Sequence, residues 1–409
     1  MPKPLPSLLL LPPPPTSITP ESLSAAYKPS ITATVSALKG LSQSTKLLVV
    51  VPCPSVVHRR LREPRSHVYD EAQRLLGGLY SLICVVCAKL GVEVDSDTPG
   101  SVDARIILLD YSSSQHYFTN NELVFDSTLA GPIIDLPSLA LTRRQWNLIF
   151  SVDGEEGQKL LANYQTLASL HNPPVIGQVQ IVGGGVSFLQ KEPIRTSPSS
   201  VVHSVVIVGG TFDHLHAGHK LLLTATALLL QPARIGFPVQ RRLIVGITGD
   251  ELLKNKRYAE YLKSWKQRQE DVIDFLLSIL SFTRSDADEA IQTLSFDEPV
   301  PNGRAIHTKL KDCSITIECC EIQDPFGPTI TDESVTALVV SGETRSGGQE
   351  VNERRLEKGW NALEVFEVDV LNAQDNGEST SNSDDFASKI SSTAIRKRRA
   401  AESVCTSSL

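Results

Sequence analysis

SVVIVGGTFDHLHAGHKLLLTATALLL, residues 204–230, runs from an unbroken apolar stretch through two glycines and three histidines into a second apolar stretch. The first stretch is rich in Val and Ile and ends at Gly209 and Gly210, which predicts a strand buried on both faces; the second predicts a helix. The glycines let the chain turn tightly and leave room for a ligand beside the main chain. His216 and His219 are three residues apart at the start of the helix, so their imidazoles share one face of its first turn, beside backbone N–H groups that have no intrahelical acceptor. That arrangement is an anion site, and the helix dipole strengthens it. Gly218 has no side chain, so a planar base or a phosphate can approach closely, and Thr211 contributes a hydroxyl.

Outward from this segment the second half alternates strands and helices: strand RRLIVGITG, a helix over 261–281, strands SITIECCEI and ALVVSG, helix QEVNERRLEKG and strand LEVFEVDVL. Such spacing predicts an α/β fold with a parallel doubly wound sheet, whose ligands bind beyond the carboxyl ends of the strands. The first half also alternates, with strand TKLLVVVPCP, a helix over 67–90, strand ARIILLDYS, a helix over 155–170 and strand QVQIV. The expected organisation is a flexible Pro-rich tail over 1–44, an N-terminal α/β domain of unknown role over 45–195, a catalytic domain over 203–400 and a tail over 401–409. KEPIRTSPSS has linker composition. A loop-rich insertion is expected near 283–304, and the acidic, low-complexity stretch 372–388 is expected to be disordered.

Three further segments suit phosphate. GDELLKNKRY puts Lys254 and Lys256 after a strand, where an ammonium can meet a phosphate. VSGETRSGGQEVNERR follows another strand with a glycine pair and Arg345. ISSTAIR offers Ser391, Ser392 and Thr393 at a helix start, with Arg396 one turn later.

The competing metal reading takes His214, His216 and His219 as an HxHxxH ligand set. Ala217 and Gly218 fill the positions between the last two histidines, so the aspartate of the HxHxDH set of metallo-β-lactamase-type hydrolases is missing. His307 is the one histidine further downstream, too few for a two-metal site. No resident metal is expected.

The 409 residues exceed the usual size of one core. A net charge of −7 with 41% apolar residues argues against a surface for nucleic acid. Seven scattered cysteines form no disulfide framework, so a reducing intracellular compartment is expected. Cys84 and Cys87 make a CxxC inside an apolar helical stretch, which reads as a buried structural pair. The four leucines of MPKPLPSLLLLPPPPTS, hemmed by prolines, are too short for a signal sequence. No stretch is expected to span a membrane.

GxFDxxHxGH followed by ISSTxIR resembles the HxGH nucleotidyltransferases, and VVSGETRSGGQEVNERR resembles the SEETxxGGxxxNxxR segment of the eukaryotic and archaeal phosphopantetheine adenylyltransferases, most of all the adenylyltransferase domain of eukaryotic CoA synthase. The resemblance covers about residues 203–400. It implies a Rossmann-like catalytic domain that transfers AMP from ATP to 4′-phosphopantetheine, giving dephospho-CoA and pyrophosphate in coenzyme A biosynthesis. It implies that His216 and His219 contact the ATP phosphates, that Thr211 places the attacking phosphate, and that Lys254, or else Lys256, neutralises phosphate charge. It further implies nucleotide binding by Gly209, Gly210, Phe212, Gly218, Glu343, Arg345, Ser391, Ser392, Thr393 and Arg396, with Mg²⁺ carried by ATP. His214 is expected to be a bystander.

Gly342 departs from the family, which has glutamate there. No GxxxxGK[ST] string occurs, so the dephospho-CoA kinase step is expected to fall to a separate protein among other coenzyme A enzymes. Nicotinamide mononucleotide adenylyltransferases share ISSTxIR and are the alternative, although they read GxFNPxHxxH where this chain has Asp213 and His214. A nucleotide-sensing scaffold is the alternative of a different class. The basic run Arg396–Arg399 overlaps ISSTAIR and reads as a site helix rather than a nuclear signal, so the cytoplasm is the expected location, with the nucleus as the alternative.

Overall fold

The computed structural model describes residues 4–406 except 42, 54–60, 62, 96–97, 115–116, 120–121, 124–128, 143, 171–176, 187–200, 234–238, 284–286, 301–302, 372–385 and 387–389. The linker KEPIRTSPSS and nearly all of the stretch 372–388 lie outside the described residues.

The chain forms two α/β units. The first carries a six-stranded sheet in the order β6-β3-β2-β1-β7-β8, with every pairing parallel. Its strands are β1 (Ser7–Leu10), β2 (Thr45–Pro52), β3 (Val102–Asp110), β6 (Ile133–Asp135), β7 (Leu148–Val152) and β8 (Gln178–Val182); β4 (Phe118–Thr119) and β5 (Glu122–Leu123) form a separate small hairpin. Helices α1 (Pro20–Leu38), α2 (Tyr69–Leu90), α3 (Leu136–Ala140) and α4 (Glu155–Ala168) accompany it.

Residues 7–38 correct the expectation of a flexible tail. Leu8, Leu9 and Leu10 are fully buried, because β1 lies between β2 and β7 in the middle of the sheet. Four residues, three of them leucine, suffice for such a strand when both neighbours complete its hydrogen bonds. The prolines beyond it end the strand, and α1 starts with a reciprocal Thr19/Ser22 capping box and Pro20 in its first turn.

α2 bears on the expectation that no stretch spans a membrane. Ser66–Leu90 is a helical stretch long and apolar enough to cross a membrane, with a mean hydropathy of 1.3. In the fold it is a core helix. Its apolar face, with Cys84 and Cys87, is buried between the first unit and a helix of the second.

The second unit is a seven-stranded sheet in the order β11-β12-β13-β10-β9-β14-β15. β9 (Val205–Gly210), β10 (Arg241–Thr248), β13 (Ile315–Ile322), β14 (Ala337–Ser341) and β15 (Glu364–Val368) pair in parallel. β11 (Ile291–Val300) and β12 (Gly303–Leu310) pair antiparallel at the edge. The segment expected as a loop-rich insertion thus extends the sheet, which is mixed; a β-rich run such as IQTLSF next to GRAIHTKL gains a ladder once an edge is available. Helices α5 (Ala217–Leu229), α6 (Trp265–Leu280), α7 (Ala287–Ala290), α8 (Arg345–Glu357) and α9 (Ser392–Thr406) complete the unit.

Chain order reverses at β9. The strands progress one way through β10 to β13 and the other way through β14 to β15, so the crevice of this doubly wound sheet opens at the carboxyl ends of β9 and β14. The segments that follow those two strands are GTFDHLHAGH and GETRSGG.

Candidate active site

Between β9 and α5 the chain takes a constrained path. Phe212 and His214 both adopt left-handed backbone angles, φ 50° and 46°. Each such residue without glycine's freedom costs about 1 to 3 kcal/mol, so the surrounding structure has to hold it. The Phe212 ring is fully buried, and His214 Nε2 lies 2.9 Å from the Tyr261 carbonyl, to which it donates. His214 is therefore an anchor of the loop rather than a bystander.

The loop delivers His216 to the N-cap of α5 in extended conformation, and no side chain caps the helix. Helix starts are ordinarily covered by Ser, Thr, Asp or Asn. Here the free end instead carries two imidazoles, stacked with centroids 3.8 Å apart and planes 21° apart. Both Nδ1 atoms are buried without a hydrogen-bond partner. Burial pushes the His219 imidazole from its ordinary 6.5 down to about 4, opposed by Asp213 and assisted by His214. His216 is held well below its ordinary value by burial first and then by His219 and Lys220. Both shifts favour the neutral ring near pH 7. A Cβ at Gly218 would meet the His216 ring at 3.2 Å, so a glycine there leaves that ring its place.

The second wall is the start of α9. Asp213 is fully buried; its Oδ2 accepts from Arg396 Nη1 at 2.6 Å and its Oδ1 from the Lys263 N–H at 3.1 Å. Ser392 Oγ donates to the Asp213 carbonyl at 2.8 Å. ISSTAIR is thereby fastened to the loop that carries the histidines, 179 residues away in sequence. Arg396, expected to bind nucleotide, is buried, and also donates to the Arg257 carbonyl and Thr393 Oγ1. Its guanidinium is thus buried and engaged by three protein acceptors. Ser391 Oγ accepts from the Ala394 N–H, and Thr393 is exposed at the helix start.

A third element was not anticipated. Arg268 on α6 is completely buried and donates to the Thr211 carbonyl at 2.7 Å, the Thr248 carbonyl at 2.8 Å, the Lys263 carbonyl at 3.0 Å and Asp250 Oδ1 at 2.6 Å. It locks together the chain turns that leave β9 and β10. Thr248 Oγ1 adds a bond to the Gly210 carbonyl. The sequence held a signal for this: the buried face of α6 is Trp265, Arg268, Gln269, Val272, Phe275, Leu276 and Ile279, so an arginine stands in the apolar stripe, where only a fully bonded one is tolerated.

The other expected residues line the same sheet edge without joining this cluster. Lys254 and Lys256 are exposed beyond the end of β10, and Lys254 pairs with Glu251. Arg345 makes a two-pronged pair with Glu367 at 2.6 and 2.7 Å, and Glu343 lies exposed in the turn before α8. In the same segment Asn352 and Arg355 are structural. Asn352 bonds both the N–H and the carbonyl of Leu363, and buried Arg355 donates to five carbonyls, including Thr329 at 2.7 Å. Gly209 faces open space at the crevice.

Residues 207–398 match the cytidylyltransferase-like family model, and residues 1–188 match a domain of unknown function (DUF8446). The chain is 29% identical over 360 residues, 88% of each chain, to an uncharacterized protein of Schizosaccharomyces pombe. It is 33% identical over 204 residues to the phosphopantetheine adenylyltransferase of Saccharomyces cerevisiae, covering 49% of this chain and 51% of that protein. Against the phosphopantetheine adenylyltransferase of Pyrococcus abyssi the identity is 30% over 191 residues, 47% of this chain and 87% of the archaeal one.

Proposed function

The chain belongs to the phosphopantetheine adenylyltransferase family of cytidylyltransferase-like nucleotidyltransferases, and from that premise we propose that it transfers AMP from ATP to 4′-phosphopantetheine, forming dephospho-CoA and pyrophosphate. The observation that supports this most is the uncapped start of α5 with its two stacked neutral imidazoles, set at the crevice between β9 and β14. Every group offered there is a hydrogen-bond donor or a polarisable ring, which suits the oxygens of a polyphosphate.

In this reading His216 and His219 donate to the phosphate bridge that breaks, and stabilise the charge that grows on the α-phosphorus as the acceptor phosphate attacks. The backbone N–H groups of the first turn of α5 hold the same oxygens without moving. Thr211 orients the acceptor phosphate, and the start of α9 from Ser391 to Thr393 takes the β- and γ-phosphates. Lys254, or else Lys256, neutralises charge on the leaving pyrophosphate. The nucleophile is already an anion, so no general base is needed and catalysis is positioning plus electrostatics. Mg²⁺ enters with ATP and offsets its charge, because the donor set here suits anions and not cations.

The test is pyrophosphate release by the purified full chain with MgATP and each acceptor. Release with 4′-phosphopantetheine carries the proposal. Release with nicotinamide mononucleotide alone replaces it with the related reaction, and MgATP binding without turnover of either acceptor supports a sensor.

A further inference from the structure

The first unit grips the second at three places, and each grip falls on a helix that carries a piece of the candidate site. On α5, Lys220 follows His219 directly. Its buried ammonium is 2.7 Å from Asp103 Oδ1 and donates to the Val94 carbonyl at 3.1 Å. On α9, five residues beyond Thr393, Arg398 pairs with Glu93 and with Asp95, the latter at 3.0 Å. On α6, Asp274 accepts from Lys46 at 2.6 Å and from Arg105 at 2.6 Å, and Arg144 donates to the last carbonyls of the helix, at 2.7 Å to Ser278.

Three consecutive residues make the link between the first two grips. Glu93 and Asp95 hold α9 through Arg398, and the carbonyl of Val94 between them holds α5 through Lys220. This short segment leaves α2 at the left-handed Gly91 and is fixed to β3 by the bond from the Val102 N–H to the Glu93 carbonyl at 2.8 Å. Burial alone would raise the Asp103 carboxyl, but Arg105 and Lys220 outweigh it and hold it well below the usual carboxylate range. Asp103 also takes two bonds from Arg105, which reaches on to Asp274. The chain of charges from Lys46 through Asp274, Arg105 and Asp103 to Lys220 is thus continuous, and it joins α6 to α5 through the first unit.

We propose that Glu93, Asp95 and Asp103 of the first unit are positioning residues for the nucleotidyltransferase site, setting the start of α9 relative to the start of α5 through Arg398 and Lys220. This rests on the reading above, in which those two helix starts share one triphosphate. A triphosphate held at two points is sensitive to their separation, since a misplacement on the order of 1 Å weakens both sets of bonds. The acidic residues reach the nucleotide only through the two cations.

The test uses the full chain with Glu93→Gln and Asp95→Asn combined, and separately Arg398→Gln and Arg398→Lys. Four quantities are measured: KM for ATP, kcat, the calorimetric Kd for MgATP, and Tm. The expected result is a rise of about tenfold in KM and Kd for the double variant and for Arg398→Gln, with kcat within about twofold. Tm should stay within a few degrees of the parent, and Arg398→Lys should recover most of the affinity. Unchanged KM and Kd overturn the proposal, and so does a fall in Tm and kcat with no shift in affinity. If the parent chain binds MgATP but does not turn over 4′-phosphopantetheine, the proposed reaction fails while the Kd values still decide this inference. A parent chain that does not bind MgATP overturns both.

Discussion

Arg396 Nη1 lies 2.6 Å from Asp213 Oδ2, with both side chains sealed from solvent and 183 residues between them in sequence. This pair joins the two motif-bearing segments. Arg396→Met leaves the Asp213 carboxylate buried without its guanidinium partner, and breaking a pair of this kind costs about 3 to 5 kcal/mol. The expected outcome is a fall in Tm together with loss of turnover. Asp213→Asn combined with Arg396→Met should recover part of that Tm and little of the activity. A double variant that loses as much Tm as the two single variants added together would show that the pair is not coupled.

The His219 ring packs on His216 and on the buried Phe212 ring, and its Nδ1 has no partner among the described residues. His219→Ala is expected to lower Tm by only a few degrees, since a buried unpartnered nitrogen leaves with the ring, while kcat falls by about 10²- to 10³-fold, the scale of one lost donor to a developing oxyanion. His219→Asn should keep part of the rate because an amide still donates. Circular dichroism melts and steady-state turnover on the same preparations separate the two effects. A His219→Ala enzyme with wild-type kcat would remove the ring from the mechanism.

The two imidazoles also set a pH dependence. Their folded-state pKa values lie below the ordinary 6.5, at about 4 for His219, so the unfolded chain binds more protons between those limits. This contribution to stability is fully present above pH 6.5 and is lost as pH falls toward 4. An anion against the rings raises their affinity for protons. MgATP binding measured by calorimetry near pH 6, in buffers of differing ionisation enthalpy, is therefore expected to take up protons. Binding without proton uptake would place the nucleotide away from the rings.

Arg268 bonds three carbonyls and Asp250 through one planar guanidinium. A lysine has neither that geometry nor that number of directed donors. Arg268→Lys is accordingly expected to lower kcat/KM by at least about tenfold, since two turns of the site lose a common fastener, each hydrogen bond to a charged group being worth about 1.5 to 3 kcal/mol. Amide hydrogen exchange at Thr211 and Thr248 should quicken in the same variant. Unaltered exchange at both residues would mean that the turns hold without Arg268.

The features legible in the sequence are those that depend on neighbouring residues. An apolar run ending in two glycines and followed by HAGH specifies strand, turn and helix start locally, so His216 and His219 were legible at the free end of α5. The parallel α/β class followed from the same alternation. Partnerships across long stretches of chain come from the packing of the fold. SLLL reads as a fragment of a tail until β2 and β7 complete its hydrogen bonds. Arg396 reads as a phosphate ligand until Asp213 occupies it, and residues 291–310 become part of the sheet only because β13 offers an edge. Lys220 follows the histidines and Arg398 falls in the basic run, yet it is the first unit that supplies the counter-ions of both. In the quoted stretch, local chemistry fixed which residues can bind an anion, and packing fixed which of the remaining charges are left to do so, because a buried charge must be matched by whatever the fold brings beside it.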